Sequence, residues 1–133
     1  MRVVLDTNVL VSAVLFGGIP RDLLVSAIRG ELAIVTSPVL LDELEGLLRR
    51  KFGFGVSAAR ATRAEFELLA QIVEPTEVPD ICRDPDDNEV LAAATTGEAE
   101  AIVTGDEDLL ALRSFGDVAI LTPAEFERRL GPR

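Results

Sequence analysis

The stretch Met1-Arg-Val-Val-Leu-Asp-Thr-Asn-Val9 decides the fold. Val3, Val4 and Leu5 form an apolar run without alternation, which is typical of a strand buried on both faces. The run ends at the carboxylate of Asp6. Open α/β sheets bind their ligands at the carboxyl ends of their strands, so Asp6 is a candidate site residue. The structural alternative is a turn in which Asp6 and Asn8 hydrogen-bond nearby backbone groups.

Length and composition indicate a single globular domain over residues 1–133. The chain is long enough for one hydrophobic core, and 48% of its residues are apolar. No apolar run approaches the roughly 20 residues that cross a bilayer. The polar residues 6–8 fall too early for a signal peptide. We therefore expect a cytoplasmic protein without a membrane partner.

The residue types that are missing or rare narrow the chemistry. The sequence has no histidine, which excludes Ser-His-Asp and Cys-His catalysis, the usual zinc sites and RNA cleavage by paired histidines. The single cysteine, Cys82, excludes an intramolecular disulfide and a cysteine-cluster metal site. Any catalysis must use carboxylates, hydroxyls, amides, arginine or a metal ion held by oxygen.

The formal net charge of −10 favours an acidic soluble protein over a nucleic-acid binder, because nucleic-acid-binding proteins are normally basic. The net charge would argue less strongly against nucleic-acid binding if the acids gathered in one pocket and were neutralised by divalent cations. The chain has six Phe and no Trp or Tyr, so we expect no aromatic platform for stacked bases.

The rest of the chain alternates between short strands and helices. Buried strands are predicted at 32–35, 101–104 and 118–121. An extended segment at 72–78 contains Pro75, which favours the edge of a sheet. Helices between the strands imply right-handed crossovers and parallel pairing. The sequence therefore predicts an α/β fold with a central parallel sheet of about five strands.

The helix that begins at Ser37-Pro38 carries an acidic residue toward the sheet edge. Ser37 is a predicted N-cap, and Pro38 suits the first helical position. At about 100° per residue, Glu43 lies beside the apolar stripe of this helix, whereas Asp42 points toward solvent. Glu43 is a candidate site residue or, alternatively, an ordinary acid that flanks an amphipathic helix.

Residues 83–88, Arg-Asp-Pro-Asp-Asp-Asn, begin another helix with an acid on its inner face. Asp84 is a natural N-cap, and Asp87 falls in the first turn on the same face as Leu91 and Ala94. The helix dipole favours acids at any helix N-terminus. It does not explain why Asp87 takes the inward-facing position.

Asp106 follows the strand at 101–104 as Asp6 follows the first strand. Strand C-termini and helix N-termini share one edge of a parallel sheet, so Asp6, Asp87 and Asp106 should converge there. Glu43 would be brought in by its helix. Carboxylates in one cleft repel each other unless a cation binds, and an all-oxygen site selects Mg²⁺ or Mn²⁺. One or two such ions can provide hydroxide for in-line attack on a phosphodiester.

The densest basic run, Arg49-Arg-Lys51, leads into the Gly-containing loop 52–55. Arg60 and Arg63 are predicted on the next helix, for which Ser57 is a candidate N-cap. A basic cluster in an acidic protein can contact phosphate. Cations also stabilise helix C-termini through the helix dipole, so both interpretations remain open.

Five segments in this order and spacing form a specific pattern that spans nearly the whole chain. They are Val4-Leu-Asp-Thr-Asn8, Ser37-Pro38 with Glu43-Leu44, Arg83-Asp-Pro-Asp-Asp-Asn88, Thr104-Gly-Asp-Glu-Asp-Leu109 and Ile120-Leu-Thr-Pro123. The pattern resembles PIN-domain ribonucleases, close to the VapC-like toxin components of bacterial and archaeal toxin–antitoxin pairs. The resemblance implies a three-layer α/β/α fold and a homodimer. It also implies Mg²⁺- or Mn²⁺-dependent endonuclease activity on RNA, held in check by a small antitoxin protein.

Matched position by position, the resemblance makes Asp6, Glu43, Asp87 and Asp106 an acidic quartet that is both catalytic and metal-binding. Asp6 and Asp87 are assigned direct metal ligation. Glu43 and Asp106 would complete the site or orient water.

The resemblance also assigns roles to four further residues. Asn8 and Thr104 fall at supporting polar positions of the family. Asp108 is a candidate fifth acid, and Asp84 is the substitute if the register is shifted. We also predict that the acidic cleft attracts an arginine or lysine from the antitoxin.

Other proteins that gather acids at a sheet edge fit less well. A phospho-acceptor receiver domain needs a lysine near that edge, and the only lysine, Lys51, follows a helix elsewhere. A haloacid-dehalogenase-type phosphatase needs a second Asp two residues after the first, where this chain has Asn8. The remaining alternative is a catalytically silent PIN-like module that binds a protein partner or a metal.

Overall fold

The computed structural model describes residues 1–132 as an α/β fold with one six-stranded sheet. The strand order across the sheet is β3-β2-β1-β4-β6-β5, and every pair is parallel except β5 with β6. The strands are β1 Arg2–Leu5, β2 Ala33–Thr36, β3 Gln71–Ile72, β4 Ala101–Val103, β5 Ser114–Phe115 and β6 Val118–Leu121.

Helices connect the strands. They are α1 Thr7–Leu15, α2 Gly18–Ile28, α3 Pro38–Phe52, α4 Val56–Leu69, α5 Pro85–Thr96, α6 Glu107–Leu112 and α7 Pro123–Leu130. Within residues 1–132 no single helix is long and apolar enough to cross a membrane. The pair α1 and α2 meets the length and composition criteria only jointly, and its two helices are bent by 93°.

The first strand lies at the centre of the sheet, as its apolar run predicts. Its neighbours are β2 and β4, and Val3, Val4 and Leu5 are buried. Val3 and Leu5 pack in one core cluster with Phe126, whereas Val4 packs in a second cluster with Leu91. Burial of each such side chain stabilises the fold by about 1.5–3 kcal/mol. The helices therefore cover both faces of the sheet.

Three helix N-termini meet at one edge because β1, β2 and β4 are parallel neighbours. Asp6 caps α1 directly after β1, and Ser37 caps α3 directly after β2. Asp106 caps α6 shortly after β4. This edge, at the carboxyl ends of the strands, is where the sequence predicted the site.

The prediction of about five strands is one short. Ser114–Phe115 forms an additional antiparallel edge strand with β6, joined to it through Gly116 at a φ of 58°. A two-residue strand has too few positions to show alternation. Of the predicted segment 72–78, only Ile72 lies in a strand, in β3 at the edge of the sheet.

Two predicted helix starts are wrong. The N-cap of α4 is Gly55, so Ser57 lies inside the helix rather than capping it. The apolar pattern also predicts that the helix after β4 begins at Leu109. It begins at Glu107 instead, capped by Asp106. In both cases the backbone turns into the helix earlier than the apolar pattern alone indicates.

Candidate active site

Asp6 is fixed at the end of β1 by hydrogen bonds to both of its carboxylate oxygens. The Thr7 backbone N–H donates to Oδ1 at 2.8 Å, and the Thr104 hydroxyl donates to Oδ2 at 2.7 Å. The side chain is only 6% exposed. Burial raises the pKa of Asp6; the two hydrogen bonds oppose this shift, and the charge of Asp106 adds to it.

Thr104 links two of the predicted acids. While its hydroxyl donates to Asp6, the same oxygen accepts a hydrogen bond from the backbone N–H of Asp106 at 2.9 Å. The Asp106 carboxylate in turn accepts from the Leu109 backbone N–H at 3.0 Å, which starts α6. One buried hydroxyl therefore sets the position of Asp6 relative to Asp106.

Replacing Thr104 with valine is expected to lower the free energy of unfolding by about 1–3 kcal/mol. The substitution keeps the shape but leaves Asp6 and the Asp106 N–H each short of one hydrogen-bond partner. Urea denaturation monitored by circular dichroism measures the change. Thr104→Ser is the matched control, because it retains the hydroxyl. Equal stability of Thr104→Val and wild type would contradict a structural role for this link.

Asp87 lies in the first turn of α5, buried against the other acids. It is only 7% exposed. The pKa of Asp87 is raised to about 7. Burial is the largest cause, and a hydrogen bond to Asp106 and the charges of Asp106 and Asp6 add to it. The Asp87 carboxyl can therefore keep its proton near neutral pH and donate it to Asp106.

Asp108 joins this group. Carboxylate oxygens of Asp87, Asp106 and Asp108 lie within 4.8 Å of one another, a spacing that can hold a metal ion. Asp108 also accepts hydrogen bonds from the exposed Arg83 guanidinium at 3.1 and 3.2 Å. In the described part of the chain, Asp6 and Glu43 are not members of this closest group.

Glu43 approaches the cleft from α3, and its side chain is half-buried. The pKa of Glu43 is raised to about 7, first by burial and then by the charges of Asp86 and Asp6. The Thr7 hydroxyl acts in the opposite direction. Glu43 therefore lies within the negative field of Asp6 and Asp86. Asp42, in contrast, is exposed and pairs with Arg63 of α4.

Asp84 has mainly a structural position. It caps α5, accepting a hydrogen bond from the Asp86 backbone N–H at 2.9 Å. Its charge nevertheless contributes to the raised pKa values of Asp6, Glu43 and Asp87. Asp84 thus lies beside the cleft and intensifies its negative field without entering the closest group.

The comparison with known sequences decides the family. A model of the PIN domain family matches residues 2–108 of this chain. The chain belongs to the PIN domain family. An uncharacterized protein of Methanocaldococcus jannaschii is 34% identical over 119 residues, which cover 85% of this chain and 76% of the relative.

Two solved structures share the PIN domain's fold. VapBC2 from Rickettsia felis, bound to a DNA fragment from its promoter, has a TM-score of 0.62 at 16% identity, with 90% of this chain and 97% of that chain covered. FitAcB from Neisseria gonorrhoeae has a TM-score of 0.55 at 18% identity, with 92% and 98% covered. The predicted family and α/β fold class are therefore confirmed.

The cleft of this PIN domain opens onto the surface. Asn8 is exposed and, together with Arg83 and residues 105–108, lines a cavity of about 520 Å³ beside the acids. Asn8 therefore lines the same cavity as Asp106 and Asp108.

Asn88 has a role in this PIN domain that sequence reasoning missed. It is buried, accepts hydrogen bonds from the backbone N–H groups of Ile81 and Cys82 at 3.1 and 2.8 Å, and donates to the Cys82 carbonyl at 3.1 Å. These bonds fix the loop that leads into α5 and so the position of Asp87. The sequence signal that could have identified this role is the amide side chain of Asn88, directly after Asp87 on a helix whose inner face was predicted to carry an acid.

The donor set fits a hard divalent cation. All candidate ligands are carboxylate oxygens, and two of them, on Glu43 and Asp87, have pKa values raised to about 7. Burial is the largest cause of both shifts, and repulsion between the acids adds to it. A bound cation would replace the protons and relieve this repulsion. Oxygen ligands at this density favour Mg²⁺ or Mn²⁺ over softer metals.

Proposed function

We propose that this PIN domain is an endoribonuclease that hydrolyses RNA phosphodiester bonds with Mg²⁺ or Mn²⁺. The observation that carries the proposal is the convergence of carboxylates at the carboxyl edge of the sheet, where two protonation equilibria are shifted to about pH 7. Ionised carboxylates crowded in such a cleft destabilise the fold when no cation is bound, and a bound cation offsets this cost. The family membership supports the reaction class.

We assign roles to the four acids of the predicted quartet. Asp6 and Asp87 would hold the cation, with Asp6 in a position fixed by Thr7 and Thr104. Asp106 completes the site. Glu43, whose pKa is about 7, orients the attacking water and can exchange a proton near neutral pH. When bound, the cation supplies charge stabilisation for the phosphodiester and its leaving oxygen.

We further propose that the protein is the toxin of a type II toxin–antitoxin pair that acts in the cytoplasm as a single-domain homodimer. The likeness to VapBC2 and FitAcB supports an antitoxin partner. The acidic cleft also provides the charge to bind an arginine or lysine of that partner, which would block access to the cation.

Incubation of the purified protein with a labelled single-stranded or hairpin RNA tests the activity. We expect endonucleolytic fragments with Mn²⁺ or Mg²⁺ and none with EDTA, because the carboxylates alone offer no electrophile. Denaturing gel electrophoresis resolves the fragments. Calorimetric binding of Mn²⁺ without RNA cleavage would instead support the catalytically silent metal-binding module. Cleavage that EDTA does not affect would overturn the metal-dependent mechanism.

A further inference from the structure

One part of this acidic chain is strongly basic. Residues 46–64 contain five cationic side chains and no acidic one, in a protein with a formal net charge of −10. These residues form the C-terminal half of α3, the loop 53–55 and the first part of α4. We call this region the basic corner. Its five cations are Arg49, Arg50, Lys51, Arg60 and Arg63.

Arg63 is neutralised within the fold. Its guanidinium contacts Asp42, Glu45 at 3.2 Å and Glu67 at 3.9 Å, and it is only 20% exposed. Across residues 1–132, the other four cations of the basic corner have no carboxylate partner within salt-bridge distance. The helix dipole explains a preference for cations at the end of α3, but not a cavity lined by them.

Two of these cations line a cavity. Arg49 and Arg50, together with Gly46, Phe54, Gly55 and Val56, surround an open space of about 510 Å³ between α3 and α4. Lys51, although it lies in the same helical turn, does not line this cavity. The basic corner therefore has a concave side formed by Arg49 and Arg50, and Lys51 lies outside it.

The side chain of Arg50 folds back along α3 toward Glu43. Its Nη1 atom lies 2.5 Å from the point that a Cβ atom on Gly46 would occupy, and its Cζ atom lies 3.2 Å from that point. Only glycine at position 46 leaves this space to the guanidinium. Glu43, Gly46 and Arg50 are spaced by three and four residues, so they share one helix face. Glu43 and Arg50 are about 10.5 Å apart along the helix axis.

We propose that Arg50, assisted by Arg49, binds a backbone phosphate of the RNA substrate a short distance from the cleavage site. This proposal rests on the endoribonuclease function proposed above and adds a substrate-binding residue to it. A guanidinium binds a phosphate through two parallel hydrogen bonds, which a lysine ammonium cannot reproduce. Its position on the face of α3 that carries Glu43 favours the nucleic-acid strand over an acidic protein segment.

Equilibrium binding to RNA tests this proposal apart from cleavage. A fluorescein-labelled 12-nucleotide RNA is titrated with the catalytically impaired Asp6→Asn protein in Mg²⁺, and Kd is measured by anisotropy at several salt concentrations. Addition of Arg50→Gln is expected to raise Kd about tenfold and to reduce the slope of log Kd against log salt by about 0.7, the value for one lost single-strand phosphate contact.

Lys51→Gln is the matched control, because it removes the same charge from the same helical turn outside the cavity. It is expected to change Kd less than twofold. Equal effects of Arg50→Gln and Lys51→Gln would overturn the proposal, since general electrostatic attraction would then suffice. Weaker binding of a labelled poly-glutamate peptide to Arg50→Gln, with unchanged RNA binding, would overturn it in favour of a protein partner.

Gly46→Ala tests the positioning of Arg50 without changing any charge. The new methyl group displaces the guanidinium from its place along α3, so Kd for RNA is expected to rise about threefold or more. The melting temperature should stay constant or increase, because alanine is favoured over glycine inside a helix. Unchanged RNA binding would contradict the role of the folded-back conformation.

Different measurements test the endoribonuclease function and the phosphate site at Arg50. Cleavage of RNA by the wild-type protein with Mn²⁺ reports on the endoribonuclease function. The contrast between Arg50→Gln and Lys51→Gln reports on the phosphate site. If wild type cleaves RNA and both variants bind it equally, only the phosphate site is wrong. If wild type does not cleave RNA, the proposed function is wrong and the phosphate site loses its basis.

Discussion

Asp6→Asn is expected to reduce Mn²⁺-dependent RNA cleavage by at least about 1000-fold. The amide has the size of the carboxylate but no charge, so it removes one proposed ligand from the cation and weakens its hold on the scissile phosphate. A loss of roughly 4 kcal/mol in transition-state stabilisation corresponds to this factor. Single-turnover cleavage of a labelled RNA measures it.

The fold should survive this substitution. Asparagine keeps an oxygen that can accept from the Thr7 N–H, and neutralisation removes a charge that burial disfavours. The melting temperature of metal-free Asp6→Asn is therefore expected to equal or exceed that of wild type.

Asp117→Asn is the control for Asp6→Asn. It makes the same chemical change at an exposed position before β6, at the end of the sheet opposite the cleft. This variant should cleave RNA at the wild-type rate. Full activity of Asp6→Asn would indicate a contaminating nuclease and would defeat the assignment of the active site.

Asp87→Asn is expected to make the metal-free protein more stable than wild type at pH 8. Folding raises the pKa of Asp87 from 3.8 to about 7, so the folded state holds a proton that the unfolded state releases. The stability that this proton provides is present below the ordinary pKa and is lost as pH rises through about 7. The advantage of Asp87→Asn over wild type should therefore grow between pH 4 and pH 8.

The size of this effect follows from the pKa shift. A shift of about three units corresponds to about 4 kcal/mol without screening. Solvent in the open cleft and proton sharing with Asp106 reduce this to about 1–2 kcal/mol, or roughly 3–8 °C in melting temperature. Thermal denaturation in EDTA at pH 4, 6 and 8 measures the difference between the two proteins.

The same variant should lose the response to metal. Saturating Mn²⁺ at pH 8 is expected to raise the melting temperature of wild type by several degrees, because the cation binds the folded state alone. Asp87→Asn should show little of this increase, whereas Asp117→Asn should show all of it. An equal Mn²⁺ response in Asp87→Asn and wild type would remove Asp87 from the set of ligands.

Local signals in the sequence predicted much of the framework correctly. Ser37 and Asp84 are N-caps as predicted, each followed by proline. The residues Thr122-Pro-Ala-Glu125 likewise carry the pattern of a capping box, which Thr122 and Glu125 form. Such caps involve hydrogen bonds over two or three residues, so the local sequence specifies them. The strand Ser114–Phe115 was missed because its pairing depends on a partner strand rather than on its own residues.

The sequence by itself determined that the first strand is buried on both faces, that strands and helices alternate, and that Asp6, Asp84 and Asp106 stand at helix N-termini. These features follow from hydrophobic periodicity and capping, which act between residues close in the chain. Only the tertiary structure decided that Asp108 joins Asp87 and Asp106 within 4.8 Å, and that the Thr104 hydroxyl reaches Asp6 across 98 positions. The strand order sets these contacts, because it brings distant segments together.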